Sequence, residues 1–198
     1  MYNFIKRIFD FFASLSALLM LSPLLLIIAL WIVLDSKGGV FYKQIRIGKN
    51  QTQFGLYKFR SMRTGADKSG EITIGNDSRI TKAGYFIRKY KIDELPQLIN
   101  ILKGEMSVVG PRPEVKKYVD LYTKPQLMVL SVLPGLSDYA SIEYFDEQTV
   151  LGKAKDPDKE YIEVVMPAKL NLNLKYITEK SIITDLKIIF KTLGKIVK

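Results

Sequence analysis

Two residue types are missing from this chain altogether: cysteine and histidine. Without cysteine there is no disulfide, no thiolate nucleophile and no cysteine-based zinc site. Without histidine the usual general base near neutral pH is gone, and with it the commonest transition-metal ligand. Chemistry on this scaffold falls to carboxylates, Lys, Arg, Tyr and hydroxyls, and any metal to a hard cation such as magnesium held by oxygen. Acidic residues are scarce beside basic ones, 20 against 30 in 198 residues, which leaves a formal net charge of +10. Such an excess suits a polyanionic partner: nucleic acid, an anionic membrane surface or a phosphorylated substrate. No nucleic-acid reading motif accompanies it and the basic residues are spread along the chain, so nucleic acid is not expected. Internal repeats and low-complexity segments are lacking too.

One stretch lacks charge entirely. Residues 11 to 34 are bracketed by Asp10 and Asp35, with Lys6 and Arg7 just ahead. At about 1.5 Å per residue this run reaches roughly 36 Å, enough to cross a bilayer core of about 30 Å. It is too long for a signal peptide and no small-x-small cleavage site follows it. Two readings stay open, a spanning helix and a re-entrant helix-break-helix. Ser22-Pro23 falls in the middle, where proline removes a backbone donor and a neighbouring serine can bond a freed group. Basic residues flank both ends, Lys6 and Arg7 on one side and Lys37, Lys43, Arg46 and Lys49 on the other. The positive-inside rule wants both flanks on the cytoplasmic face, which favours the re-entrant reading. The chain therefore divides into a membrane helix, residues 1–36, and a domain, residues 37–198.

Past Gly38-Gly39, residues 40 to 47 and 53 to 60 are rich in β-branched and aromatic types around Gly48-Lys49-Asn50. They read as a β-hairpin whose Lys43, Arg46, Lys58 and Arg60 could converge on one face. Residues 64 to 79 read as a loop. Thr81 can cap a helix over 82 to 90, and Pro96 opens another that stops near Gly104. A further helix is expected over 114 to 123, interrupted at Pro125, with a turn at Pro134-Gly135. From 181 to 197, Ile182, Leu186, Ile189, Leu193 and Ile196 recur at helical spacing, with Lys187, Lys191, Lys195 and Lys198 forming a basic row. That pattern is an amphipathic helix, packed on the core or lying on anionic lipid.

Within residues 77 to 113 lie an adjacent acid pair, Asp93-Glu94, and the arginines Arg79, Arg88 and Arg112. The acids stand where a helix starts, a setting that favours anions and can hold phosphate. Two such carboxylates can divide labour, one attacking phosphorus or binding magnesium while the other moves a proton. A surface capping pair is the plainer alternative. Arg112 is flanked by Pro111 and Pro113, whose fixed φ angles present the guanidinium at low entropic cost to phosphate or a pyrimidine edge. Composition and spacing identify no reaction beyond this.

The ordered blocks do resemble a known family. Lys6-Arg7 with Asp10, Ser22-Pro23, Val40-Phe41-Tyr42-Lys43-Gln44 with Arg46 and Gly48, and Lys58-Phe59-Arg60-Ser61-Met62 are similar to those of the bacterial sugar transferases, the small monotopic phosphoglycosyl transferases. So are Asp93-Glu94-Leu95-Pro96-Gln97-Leu98, Gly104-Glu105-Met106-Ser107, Gly110-Pro111-Arg112-Pro113 and Asp185-Leu186-Lys187. The resemblance implies an α+β, mainly helical fold, with a re-entrant membrane helix broken at Ser22 and Pro23 and a small β-hairpin. Amphipathic interfacial helices would surround a compact cytoplasmic catalytic domain at the bacterial inner membrane. It further implies transfer of a sugar phosphate from a UDP-sugar to undecaprenyl phosphate with release of UMP, the first membrane step of glycoconjugate synthesis. By the same resemblance Asp93 is the nucleophile that forms a covalent phosphosugar intermediate, and Glu94 its partner in activating the lipid phosphate. Mg²⁺ is expected at the pair, on Asp93, bridging to the diphosphate. Arg112 is expected at the uridine, and Lys58, Arg60 and Arg88 at the phosphates. One departure stands out: the Pro-Gly turn is followed by Leu136-Ser137-Asp138-Tyr139-Ala140-Ser141 where many relatives carry Thr-Gly-Leu-Ala-Gln, which weakens any transfer of sugar specificity. An ordinary glycosyltransferase releasing UDP and a non-catalytic membrane adaptor remain as competing functions.

Overall fold

The computed structural model describes residues 1–66 and 77–196. The first helix, α1 (Tyr2–Asp35), takes up 34 residues. Along it only Asp10, Ser14, Ile28 and Ile32 are buried, and these fall on one stripe at helical spacing. Ala17 and Leu18 continue that stripe against Leu98, Ile101 and Met106, and Leu25 and Ala29 continue it against Phe59, Ala83 and Ile87. Most of the remaining circumference exposes large apolar side chains, among them Leu19, Met20, Leu26 and Leu34. The helix is long and apolar enough to cross a membrane.

The break expected at Ser22-Pro23 does not interrupt the helix, which runs through Pro23. Proline cannot bond the carbonyl of Leu19, four residues back. The Ser22 hydroxyl donates to that carbonyl at 2.8 Å instead. One orphan acceptor is thereby satisfied and the helix continues.

The hairpin forms as expected, from β1 (Phe41–Ile47) and β2 (Gln53–Phe59), antiparallel with Lys43 opposite Tyr57 and Tyr42 opposite Lys58. Since side chains alternate, this register puts Lys43 on the face opposite Arg46, Lys58 and Arg60, and the four basic residues do not converge. Lys43 instead lies over the Tyr57 ring. Next comes α2 (Lys82–Lys89), with the Thr81 hydroxyl accepting from the Gly84 N–H at 3.0 Å as a side-chain cap. It is followed by α3 (Gln97–Lys103), which ends at Gly104 with φ 81°. Of the loop expected over 64 to 79, residues 67–76 lie outside the described residues.

A parallel strand pair went unread in the sequence. A short strand β3 (Ser107–Val109) pairs in parallel with β4 (Gly135–Ser137), so the expected turn at Pro134-Gly135 is a strand start. A Cβ on Gly135 would stand 2.1 Å from the backbone nitrogen of Gly110, so only glycine permits this approach. Between these strands, the helix expected over 114 to 123 shrinks to one turn, α4 (Lys116–Val119). The reason is that Glu114 is still extended, its carbonyl accepting the Ile47 N–H at 2.8 Å and prolonging the hairpin.

Beyond β4 lie α5 (Tyr139–Glu143), α6 (Glu147–Leu151), α7 (Pro157–Glu160), a π-helical turn at Tyr161–Val165, α8 (Met166–Glu179) and α9 (Ile182–Ile196). Tyr118, Val129, Leu151, Tyr161, Met166 and Leu170 build the core of this half. In α9 the helix is as expected over the described residues, Val197 and Lys198 lying outside them. Its apolar stripe, however, is not core. Asp185 and Ile188 are buried, whereas Ile183, Leu186, Phe190 and Leu193 stay exposed beside Lys187 and Lys191.

Candidate active site

The chain reaches the acid pair through a strained residue. Lys91 adopts φ 55°, a left-handed conformation uncommon for residues other than glycine, and it ends the α2 segment. The turn swings the single 3₁₀ turn Ile92–Glu94 inward, leaving Asp93 only 6% exposed. Pro96 then occupies the entry to α3, where its missing N–H costs nothing.

The two carboxylates differ in company. Glu94 Oε1 takes a short contact from Arg112 Nη2 and lies 3.5 Å from Lys58 Nζ. Asp93 has no hydrogen-bond partner among the described residues. Burial pushes the Asp93 carboxyl up, the charge of Glu94 pushes it further, and Lys58, Arg88 and Lys91 only partly offset this. Burial pushes Glu94 up as well, but the charges of Arg112 and Lys58 and the Arg112 hydrogen bond outweigh it. The Glu94 carboxyl is held well below the usual range. Glu94 in turn raises Arg112, and burial depresses Lys58. One acid is thus held as an anion by two cations, and the other, without a hydrogen bond among the described residues, has the more basic carboxylate.

Arg112 is aimed by its surroundings. Pro111 holds its own carbonyl against the Gly135 N–H at 2.9 Å, tying the Gly-Pro-Arg-Pro segment to β4. The Arg112 N–H donates to Asp138 Oδ2 at 3.3 Å. Asp138 is fully buried, and its other oxygen caps α5 by accepting the Ser141 N–H at 2.7 Å. On the far side of the hairpin end, Arg46 donates to Glu114 Oε2 at 3.3 Å, and Tyr161 donates to Glu114 Oε1 at 2.7 Å.

Of the residues singled out in the sequence, the fold brings Asp93, Glu94, Lys58 and Arg112 together, with Pro111 and Pro113 bracketing the last. Arg88 stands close enough to act on the Asp93 charge, with Nη1 3.5 Å from Ser61 Oγ. Arg60 is employed elsewhere. Its guanidinium donates to the Gly39 carbonyl at 2.6 Å, to Ser36 Oγ at 2.6 Å and to the Ser36 carbonyl at 2.8 Å. It fastens the link leaving α1. Asp138 and Lys91 belong to the site and were missed. For Asp138 a usable signal existed, an acid three residues before Ser141 in an N-cap pattern.

Comparison with known proteins gives a consistent result. The bacterial sugar transferase profile matches residues 1–198. The chain is 40% identical over 199 residues to the UDP-N-acetylgalactosamine-undecaprenyl-phosphate N-acetylgalactosaminephosphotransferase of Aeromonas hydrophila, covering 98% of this chain and 44% of that protein. It is 42% identical over 200 residues to the exopolysaccharide production protein PSS of Rhizobium leguminosarum bv. phaseoli, covering 95% of this chain and 92% of that protein. It is also 36% identical over 196 residues to the UDP-glucose:undecaprenyl-phosphate glucose-1-phosphate transferase of Escherichia coli K12, covering 96% and 40% respectively. The chain thus spans under half the length of two of these relatives and most of the third.

Proposed function

This chain belongs to the bacterial sugar transferase family, and on that premise we propose that it moves a sugar 1-phosphate from a UDP-sugar to undecaprenyl phosphate, releasing UMP. The observation that carries this reading is the buried carboxylate of Asp93, without a hydrogen bond among the described residues, beside the Glu94–Arg112–Lys58 cluster. In the first step an Asp93 oxygen attacks the β-phosphorus, the bond from that phosphorus to the bridging oxygen breaks, and UMP leaves with the electron pair. A phosphosugar ester on Asp93 results. In the second, an oxygen of the lipid phosphate attacks the same phosphorus and the Asp93 carboxylate departs, giving undecaprenyl-diphosphate-sugar.

An ionised aspartate needs no histidine to activate it, which fits a chain without one. Arg112 and Lys58 would stabilise charge gathering on UMP as it leaves. Glu94, held low by both cations, is a weak base. A phosphate monoester with a second pKa of about 6 is mostly dianionic at neutral pH and asks little of a base. Glu94 therefore serves chiefly to orient Arg112 and Lys58. Asp93 presents hard oxygen donors that fit Mg²⁺, which when bound would offset the diphosphate charge. No cluster of three or more acids gathers among the described residues, so Asp93 is the side chain that would hold the ion.

The membrane arrangement belongs to the same proposal. At one end of α1, Lys6 pairs with Asp185 at 2.7 Å and Arg7 donates to the carbonyls of Ile101 and Leu102. At the other, Asp35 Oδ2 accepts the Ala83 N–H at 2.9 Å. Both ends thus hold the same domain, whereas a helix crossing the bilayer would carry one of them to the opposite side. This supports a helix that enters and leaves the membrane on one side, a cytoplasmic domain at the inner membrane, and α9 lying on lipid through Leu186 and Phe190 with Lys187 and Lys191 at the headgroups. Identifying the released nucleotide tests the chemistry: UMP supports it, UDP assigns an ordinary glycosyltransferase, and no release with any UDP-sugar leaves a membrane adaptor.

A further inference from the structure

An exposed row of aromatic rings runs from the membrane helix towards the acid pair. Helix α2 buries Ala83 and Ile87 against α1 and β2. At the margin of that packed face the Trp31 ring of α1 meets Phe86 at 5.4 Å between centroids, and Phe86 meets Tyr90 at 5.0 Å. All three remain 38–43% exposed although they touch one another. Ile27, Leu30 and Leu34 extend the exposed apolar surface along α1 beside Trp31, on one helix stripe with it. Tyr90 stands three positions before Asp93.

The row is apolar along its length and cationic where it nears the acids. Lys89 Nζ sits over the Tyr90 ring at 5.3 Å, and Arg88, next in the chain, acts on the Asp93 charge. A ligand that suits this surface has a long hydrocarbon chain and an anionic head. Rings in mutual tilted contact hold their rotamers and offer apolar contact area at low entropic cost. Each centroid step is comparable to one isoprene repeat. We propose that the Trp31–Phe86–Tyr90 row seats the first isoprene units of the acceptor lipid and hands its phosphate to the cationic end of α2. This rests on the transfer reaction proposed above and assigns where its second substrate lies. An aromatic belt that merely floats among bulk lipid headgroups is the competing occupant.

Photolabelling separates the two without requiring turnover. A polyprenyl phosphate carrying a diazirine on its first isoprene unit is added to the full chain in detergent micelles. The label should map to the peptides holding residues 27–34 and 85–90. Excess unlabelled undecaprenyl phosphate should displace it, and phosphatidylglycerol should not. Labelling elsewhere, or displacement by both lipids alike, overturns the proposal. A kinetic arm follows with Phe86→Ala and, as a variant keeping apolar bulk, Phe86→Leu. Loss of one partly buried ring should raise the acceptor KM about five- to tenfold for Phe86→Ala and less for Phe86→Leu, leaving the UDP-sugar KM where it was. An unchanged acceptor KM in both variants contradicts the seat. Displaceable labelling in a wild-type protein that releases no UMP would overturn the transfer reading while leaving the lipid seat in place.

Discussion

The carboxylate of Asp10 accepts the backbone N–H of Val108 at 3.0 Å, which joins the apolar first helix to the strand that leads into Arg112. Asp10 is almost fully buried, so this oxygen has no water to fall back on. Four residues further, Ser14 donates to the Asp10 carbonyl at 2.7 Å and keeps that turn closed. Replacing Asp10 by Ala leaves the Val108 N–H unpaired in the interior, at a cost of about 1–3 kcal/mol. Because β3 feeds directly into Gly110-Pro111-Arg112, turnover should fall in Asp10→Ala by more than the loss of folded protein accounts for. Denaturant unfolding together with turnover per folded molecule checks this.

Asp93 and Glu94 are neighbours whose carboxyls are pushed in opposite directions, Asp93 up and Glu94 down. For Asp93 the raised pKa sets the sign of its contribution. Its stabilising, protonated form is fully present below the unfolded value, and that stability is lost as pH rises through the folded one. At pH 7 the ionised side chain therefore costs stability. Asp93→Asn is expected to abolish turnover and to raise Tm, by about 2–4 °C for each kcal/mol relieved. A thermal melt of the two proteins at pH 7 reads the effect.

The same shift sets the acid limb of the rate. UMP release from the UDP-sugar alone should rise with pH through an apparent pKa above the ordinary aspartate value of about 3.9. Glu94 remains ionised throughout this range and should add no limb of its own. Single-turnover release measured from pH 4 upward gives the profile.

The lack of native cysteine makes topology directly testable. Single replacements Tyr2→Cys and Ser36→Cys mark the two ends of α1 without background labelling. With both ends on the domain side, a membrane-impermeant maleimide should reach both in inside-out inner-membrane vesicles and neither in intact spheroplasts. Labelling of one end from each side would show a spanning helix.

Much of this fold could be read where its determinants are local. The Thr81 cap, the Gly104 stop and the alternation in Phe41–Ile47 each rest on residues within a few positions of one another. The parallel β3–β4 pairing joins Ser107 to Gly135, and no periodicity in either short segment announces a partner so distant. Arg60 shows another limit. Its sequence context matched a phosphate contact, yet the chain returns from α1 so that Ser36 and Gly39 meet its guanidinium first. The acid pair was visible as a pair. The division within it was not, because it arises from Arg112, eighteen residues away, and from Lys58 on the hairpin. In α9 the apolar periodicity was plain, but which face packs was decided by Asp185, which takes Lys6, Tyr2 and Tyr176 into the interior.

In the proposed transfer, Asp93 is the group that bonds to phosphorus. Enzyme incubated with a UDP-sugar and no lipid acceptor should release about one UMP per active site, with intact-mass and peptide analysis placing one phosphosugar on Asp93. UMP formation that requires undecaprenyl phosphate from the outset, with Asp93 unmodified, would contradict it.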